Sequence, residues 1–66
     1  MSDVEQIKAE IKRLSARATA AKMELHDFSE ELPKDWDKIP EVAARVHAVF
    51  ADLAARRAEL KRLETT

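Results

Sequence analysis

The stretch "HDFSEELPKDWDKIPEVA", residues 26–43, is the part of this 66-residue chain that departs from a helical pattern. The chain has no glycine, and this stretch contains both of its prolines and its only tryptophan. Pro33 stops a helix arriving from the N-terminal side, and Pro40 suits the first turn of a second helix. The stretch therefore divides the chain into two helical halves.

Apolar residues recur at alternating spacings of three and four on both sides of this break. The first series is Val4, Ile7, Ile11, Leu14, Ala18, Ala21, Leu25, Phe28 and Leu32. The second is Ile39, Val42, Val46, Val49, Leu53, Arg56, Leu60 and Leu63, with one basic residue among apolar ones. Such spacing is typical of a coiled-coil seam. Two seams of similar length predict an all-α fold, an antiparallel two-helix hairpin.

The limits of the two helices follow from local signals. Ser2 or Asp3 can cap the first helix, with Glu5 placed as in a capping box. We predict one domain over residues 1–66, with helix 1 at about 3–32, a linker at about 33–36 and helix 2 at about 37–64.

Charges beside the seams indicate how the two helices align. The register that places Leu14 opposite Leu53 also places Glu24 opposite Arg45 and Lys8 opposite Glu64. It leaves one unfavourable pair, Glu10 with Glu59, and it places Arg56 in the seam opposite Ile11. Because exposed ion pairs stabilise weakly, they serve here as evidence of register and not as a source of stability.

A chain of this size buries only about 60% of the surface exposed on unfolding, so its core is marginal unless it is shared. Two helices of about 28 residues also cannot enclose their seam by themselves. We therefore predict a homodimer, a rod-shaped four-helix bundle. The residues expected in its core or dimer interface are Leu14, Ala18, Ala21, Leu25, Phe28, Val42, Val46, Val49, Phe50 and Leu53. Residues 23–41 contain seven carboxylates and two lysines, whereas the flanking segments are basic. This asymmetry favours hairpins docked with their turns at opposite ends.

Composition limits the classes of function. The absence of cysteine excludes disulfides, thiolate metal sites and thiol nucleophiles. No signal peptide is evident, and no apolar run approaches the ~18 residues that cross a bilayer, so a soluble cytoplasmic protein is expected. The net charge of -1 makes nucleic acid an unlikely partner. A narrow bundle also lacks the concave pocket that catalysis requires, so we expect no enzyme activity.

A metal site is one interpretation of the two histidines. His26 and Glu30 are one helical turn apart and can share a metal ion, and His47 lies on the same flank. The alternative is that these are ordinary surface side chains. No cofactor is otherwise expected, and a transition metal is the only candidate.

The tryptophan has two interpretations. Trp36 can fold over the end of the bundle as a plug, or it can be an anchor for another protein, because aromatic residues within a charged rim are typical of interfaces. The second interpretation gives a partner-binding site of His26, Asp27, Glu30, Glu31 and Trp36.

The basic residues allow a further alternative, binding of structured RNA through Lys12, Arg13, Arg17, Arg56 and Arg57. These residues lack interleaved aromatic side chains on which bases stack. A solvated helix surface is therefore the plainer interpretation, with Arg56 setting the alignment of the helices.

The segment "RATAAKMELHDFSEELPKDWDKIPEVA", residues 17–43, resembles the Rop-like family of small proteins encoded among the nitrogen-fixation genes of diazotrophic bacteria. The elements "HD", "ELP", "W" and "IPE" are its most distinctive parts, and the likeness extends over nearly the whole chain. The resemblance implies a rod-like dimer of hairpins and a role in nitrogen fixation, with a protein of the fixation machinery as partner. A shared fold does not carry over the RNA binding of Rop itself.

Overall fold

The computed structural model describes residues 2–65 as two long helices lying side by side. Helix α1 is Asp3–Glu30 and helix α2 is Ile39–Glu64, and the described residues contain no strand. The hairpin measures 49 × 16 × 14 Å, with a radius of gyration of 15.2 Å. A compact domain of this length would have a radius of about 11 Å. The all-helical hairpin is thus confirmed, and it is a rod.

The start of α1 follows the capping signal. The Ser2 side chain accepts a hydrogen bond of 3.2 Å from the backbone N–H of Glu5. Asp3 and Glu5 place negative charge in the first turn, where the N-terminal end of the helix dipole is positive.

The break between the helices begins earlier in the chain than the sequence predicts. Helix α1 ends at Glu30, because the residue before a proline, here Leu32, is disfavoured in helical conformation. A turn over residues 31–35 leads into a 3-10 helix, Trp36–Lys38, and α2 starts at Ile39. Pro40 occupies the first turn of α2 as expected.

The core is small and lies along the inner seam. Its buried residues are Ile7, Leu14, Ala18, Val42, Val46 and Leu53. At its centre Leu14, Ala18 and Leu53 pack together, with Ile11 and Val49 against them. Ala21 and Phe28 are half-buried. Leu25 and Phe50 keep 40% and 42% of their surface exposed, so one hairpin covers only part of its apolar face.

Ion pairs across the helices agree with the predicted register. Arg45 donates a hydrogen bond to Glu24, and Lys8 lies 3.8 Å from Glu64. Each pair joins α1 to α2, and the two pairs lie near opposite ends of the rod. The helices are therefore aligned as the charge pattern indicates.

Candidate docking surface at the turn

The acidic turn end, defined as residues 23–41, contains Trp36, the most exposed of the large apolar side chains in the described residues. Trp36 is the first residue of the 3-10 helix, and 67% of its surface is accessible. A plug over the last seam layer would bury the indole against Phe28 and Ile39. In the single hairpin the indole is mostly exposed, which favours the anchor interpretation over the plug.

Backbone geometry holds Trp36 in this position. Asp35 adopts a left-handed conformation with φ 56° and ψ 29°, and its carbonyl accepts a hydrogen bond of 2.9 Å from the N–H of Lys38. The Trp36 N–H in turn donates to the Pro33 carbonyl at 3.3 Å. Aspartate tolerates left-handed geometry better than most residues, which suits a turn built without glycine.

His26 lies between two carboxylates of its own helix. Its Nδ1 atom is 3.6 Å from Oδ1 of Asp27, and its Nε2 atom is 3.5 Å from Oε1 of Glu30. The three side chains are mostly exposed, with 63% of the His26 side chain accessible. These residues thus form a polar patch on α1, continuous in sequence with the turn.

The remaining acids divide into paired and unpaired groups. Glu24 is paired with Arg45, and Glu31 lies 3.6 Å from the ammonium group of Lys34. Among residues 2–65, Asp35, Asp37 and Glu41 form no ion pair. The sequence shows that acids are in excess here, but only the structure distinguishes the neutralised carboxylates from the others.

The structure does not bring the residues of the predicted metal site together. Residues 2–65 contain no group of three or more histidine, aspartate or glutamate side chains placed to hold a metal ion. His26 directs both ring nitrogens toward Asp27 and Glu30 of α1, whereas His47 is an exposed residue of α2. The three residues of the metal hypothesis therefore do not form one site in the hairpin.

The basic residues of the RNA hypothesis lie on different grooves. Arg13, Arg17 and Arg56 line an open groove of about 260 Å³, where Glu10 and Asp52 interrupt the positive charge. Arg57 lines another groove, beside Phe50, and Lys12 is exposed. Arg56 is also engaged, at 3.7 Å from Glu10 and 3.3 Å from Glu59. The hairpin thus presents no continuous basic face built from these residues.

Neither helix, over the residues that the structure describes, is long and apolar enough to cross a membrane.

Comparison with known proteins identifies the family. A family model described as Rop-like matches residues 2–65. The chain belongs to the Rop-like family. Its membership agrees with the helical hairpin and with the resemblance carried by residues 17–43.

Relatives of this Rop-like chain occur in several bacteria. A UPF0437 protein of Azorhizobium caulinodans is 53% identical over 64 residues, which covers 97% of this chain and 93% of the relative. A UPF0437 protein of Nostoc sp. is 40% identical, covering 96% of this chain and 89% of the relative. In Frankia alni, a relative described as a UPF0437 protein in the nifX-nifW intergenic region is 36% identical over 67% of this chain and 54% of its own length. No solved structure matches the chain significantly.

Proposed function

We propose that this protein is a non-catalytic adaptor or accessory protein of nitrogen fixation, acting in nitrogenase assembly, metal handling or protection. It works by binding another protein of that machinery through the acidic turn end. The observation that carries the proposal is the 67% exposure of Trp36, because tryptophan is enriched among the residues that contribute most to binding at protein interfaces.

The process is supported by gene context and by the family. The Frankia alni relative lies in the nifX-nifW intergenic region, which is a nitrogen-fixation context. The family resemblance in residues 17–43 implies the same process. Both observations concern relatives, and we apply them to this chain because it belongs to the Rop-like family.

A homodimer is the second part of the proposal. Leu25 and Phe50 are large apolar residues that the hairpin leaves 40% and 42% exposed. A second hairpin that covers them completes a four-helix bundle in the cytoplasm. With turns at opposite ends, each acidic turn end lies near the basic helix termini of the second copy, which favours this orientation.

A non-catalytic role, with no bound cofactor, is supported by the form of the surface. The grooves of the described hairpin are open to solvent, whereas enzyme sites are usually enclosed. The groove between Glu10 and Arg56 also contains charges of both signs, which gives little support to RNA binding.

The test is capture of a partner from a lysate of nitrogen-fixing cells, followed by mass spectrometry. Trp36→Ala and Glu31→Lys are expected to leave the helical hairpin folded and to abolish capture of the same partner. Asp52→Lys, an equal charge reversal on the exposed surface of α2, is the matched control and should capture normally. Undiminished capture by both turn variants would contradict the proposal. A gel shift with structured RNA at about 150 mM salt tests the alternative, because binding through several phosphates depends steeply on salt.

A further inference from the structure

We propose that the acidic turn end binds an arginine-rich segment of its partner protein, with one guanidinium group stacked on Trp36 and others paired with Asp35 and Asp37. This inference rests on the proposed function, and it names the chemistry of the partner. It follows from the exposure of the indole and from the charges that remain unpaired around it.

The local charge favours a cationic partner. Within the hairpin, Arg45 neutralises Glu24 and Lys34 neutralises Glu31. Asp35 and Asp37 flank Trp36 directly and have no ion-pair partner in the described part of the chain. Lys38 also has no ion pair among the described residues, so three unpaired acids, Asp35, Asp37 and Glu41, remain against one unpaired cation. The charge around the indole is therefore net negative, and a cationic segment would both compensate it and be steered toward it.

The apolar component is the indole itself. Two other residues of this segment, Leu32 and Ile39, are 38% and 43% exposed, so Trp36 stands in a segment that the hairpin leaves poorly covered. An arginine side chain suits such a surface, because its planar guanidinium group stacks on aromatic rings and pairs with carboxylates in the same plane. Lysine, a compact and strongly hydrated charge, fulfils only the electrostatic part.

A second copy of the chain is the main competing occupant, because its helix termini are basic. The exposed cations near its helix ends include Lys8, Lys61 and Arg62, and Lys8 is already 3.8 Å from Glu64. Arg62 is already 3.9 Å from Glu59. The helical seam can pair along its length while the 3-10 helix that carries Trp36 stays outside it. An arginine-rich segment of another protein is thus the better match for the turn.

The single tryptophan of the chain makes the test direct, because indole emission reports on residue 36 alone. The full chain is titrated with three synthetic peptides of alternating sequence, in which alanine alternates with arginine, lysine or glutamate. We expect saturable quenching by the arginine peptide, several-fold weaker binding of the lysine peptide and no response to the glutamate peptide. The affinity for the arginine peptide should fall as salt rises.

Variants identify the contacts. Asp35→Asn with Asp37→Asn keeps the size of both side chains and the turn conformation, and is expected to weaken arginine-peptide binding by about tenfold. Asp52→Asn is the matched control on α2 and should bind as the unmodified chain does. Trp36→Leu removes the intrinsic fluorophore, so binding to this variant is measured with a fluorescently labelled peptide. It should also weaken binding while leaving the helical circular dichroism unchanged.

Several results would overturn the inference. Equal affinities for the arginine and lysine peptides would show that stacking on Trp36 does not contribute to binding. Unaltered affinity of the double asparagine variant would show that Asp35 and Asp37 do not contribute. If the double variant instead weakened self-association in sedimentation experiments, the acids would belong to the interface with a second copy. If the arginine peptide does not bind, while capture from the lysate still requires Trp36, this inference is refuted and the proposed function stands. Capture undiminished in both the Trp36→Ala and the Glu31→Lys variants would refute the proposed function itself.

Discussion

Arg56 of α2 and Glu10 of α1 form an ion pair across the hairpin, with Nη1 of the arginine 3.7 Å from Oε2 of the glutamate. The same guanidinium nitrogen lies 3.3 Å from Oε1 of Glu59. The register places Glu10 opposite Glu59, so the only basic residue in the seam lies between two like charges. Arg56 thereby allows two acids to face each other across the helices.

The first prediction concerns this bridge. Arg56→Gln removes the positive charge between Glu10 and Glu59 while keeping a long polar side chain. We expect the free energy of unfolding in urea to fall by about 1 kcal/mol at low salt, and by less at high salt where the repulsion is screened. Arg57→Gln, at the exposed neighbouring position, is the control and should change stability little. Equal effects of the two substitutions would show that Arg56 does not bridge the acids.

The second prediction concerns the centre of the core. Leu53 is 4% exposed and packs against Leu14 and Ala18, so Leu53→Ala should destabilise the protein by about 2–5 kcal/mol. A loss of this size would unfold much of so small a domain, and thermal circular dichroism would detect it. Met23→Ala truncates a side chain that is 53% exposed and should cost far less. A similar loss at both positions would contradict the core described above.

The third prediction concerns the turn conformation. Because Asp35 has φ 56°, Asp35→Val places a β-branched side chain in the left-handed region and should cost about 1–2 kcal/mol. Asp35→Asn should be tolerated, since asparagine adopts this region readily. Urea denaturation of the two variants makes the comparison. A valine variant as stable as the asparagine variant would show that residue 35 does not adopt a left-handed conformation.

The fourth prediction concerns the proposed dimer. Phe50→Glu places a charge on an apolar side chain that is 42% exposed in the hairpin, so it should weaken the dimer by at least about tenfold. Phe50→Leu keeps the site apolar and should preserve the dimer. Sedimentation velocity over a range of concentrations measures both. A glutamate variant with unaltered mass and affinity would place the interface elsewhere on the rod.

Particular residues show which features of this fold the sequence pattern predicts. The spacing of Leu14, Ala18 and Leu53 predicts the seam because an α-helix repeats every ~3.6 residues, whatever its surroundings. The pairing of Glu24 with Arg45 follows once the two seams are placed antiparallel. The apolar spacing predicts that α1 ends at about residue 32, whereas the helix ends at Glu30. Leu32 continues the apolar spacing, but its position before Pro33 disfavours a helical conformation.

The candidate site was less predictable, because its properties depend on side-chain directions within a turn. Sequence reasoning selected His26, Asp27, Glu30, Glu31 and Trp36 from their composition and closeness along the chain. The sequence does not distinguish an indole that covers the seam from one that is exposed, because both are compatible with the same order of residues in the turn. Sequence reasoning also grouped His47 with His26, although the two histidines lie on different helices without sharing a site.

The amino-acid sequence by itself determined two helices, their antiparallel register and the acidic character of the turn. The two helices follow from local periodicity and the two prolines, and the register follows from the order of charges along the two seams. Tertiary structure alone decided that Trp36 is exposed and that Arg56 bridges Glu10 and Glu59. It also decided that Asp35 and Asp37 have no ion pair within residues 2–65. Those outcomes depend on which side chains meet across the hairpin, and a pattern along one chain does not contain that information.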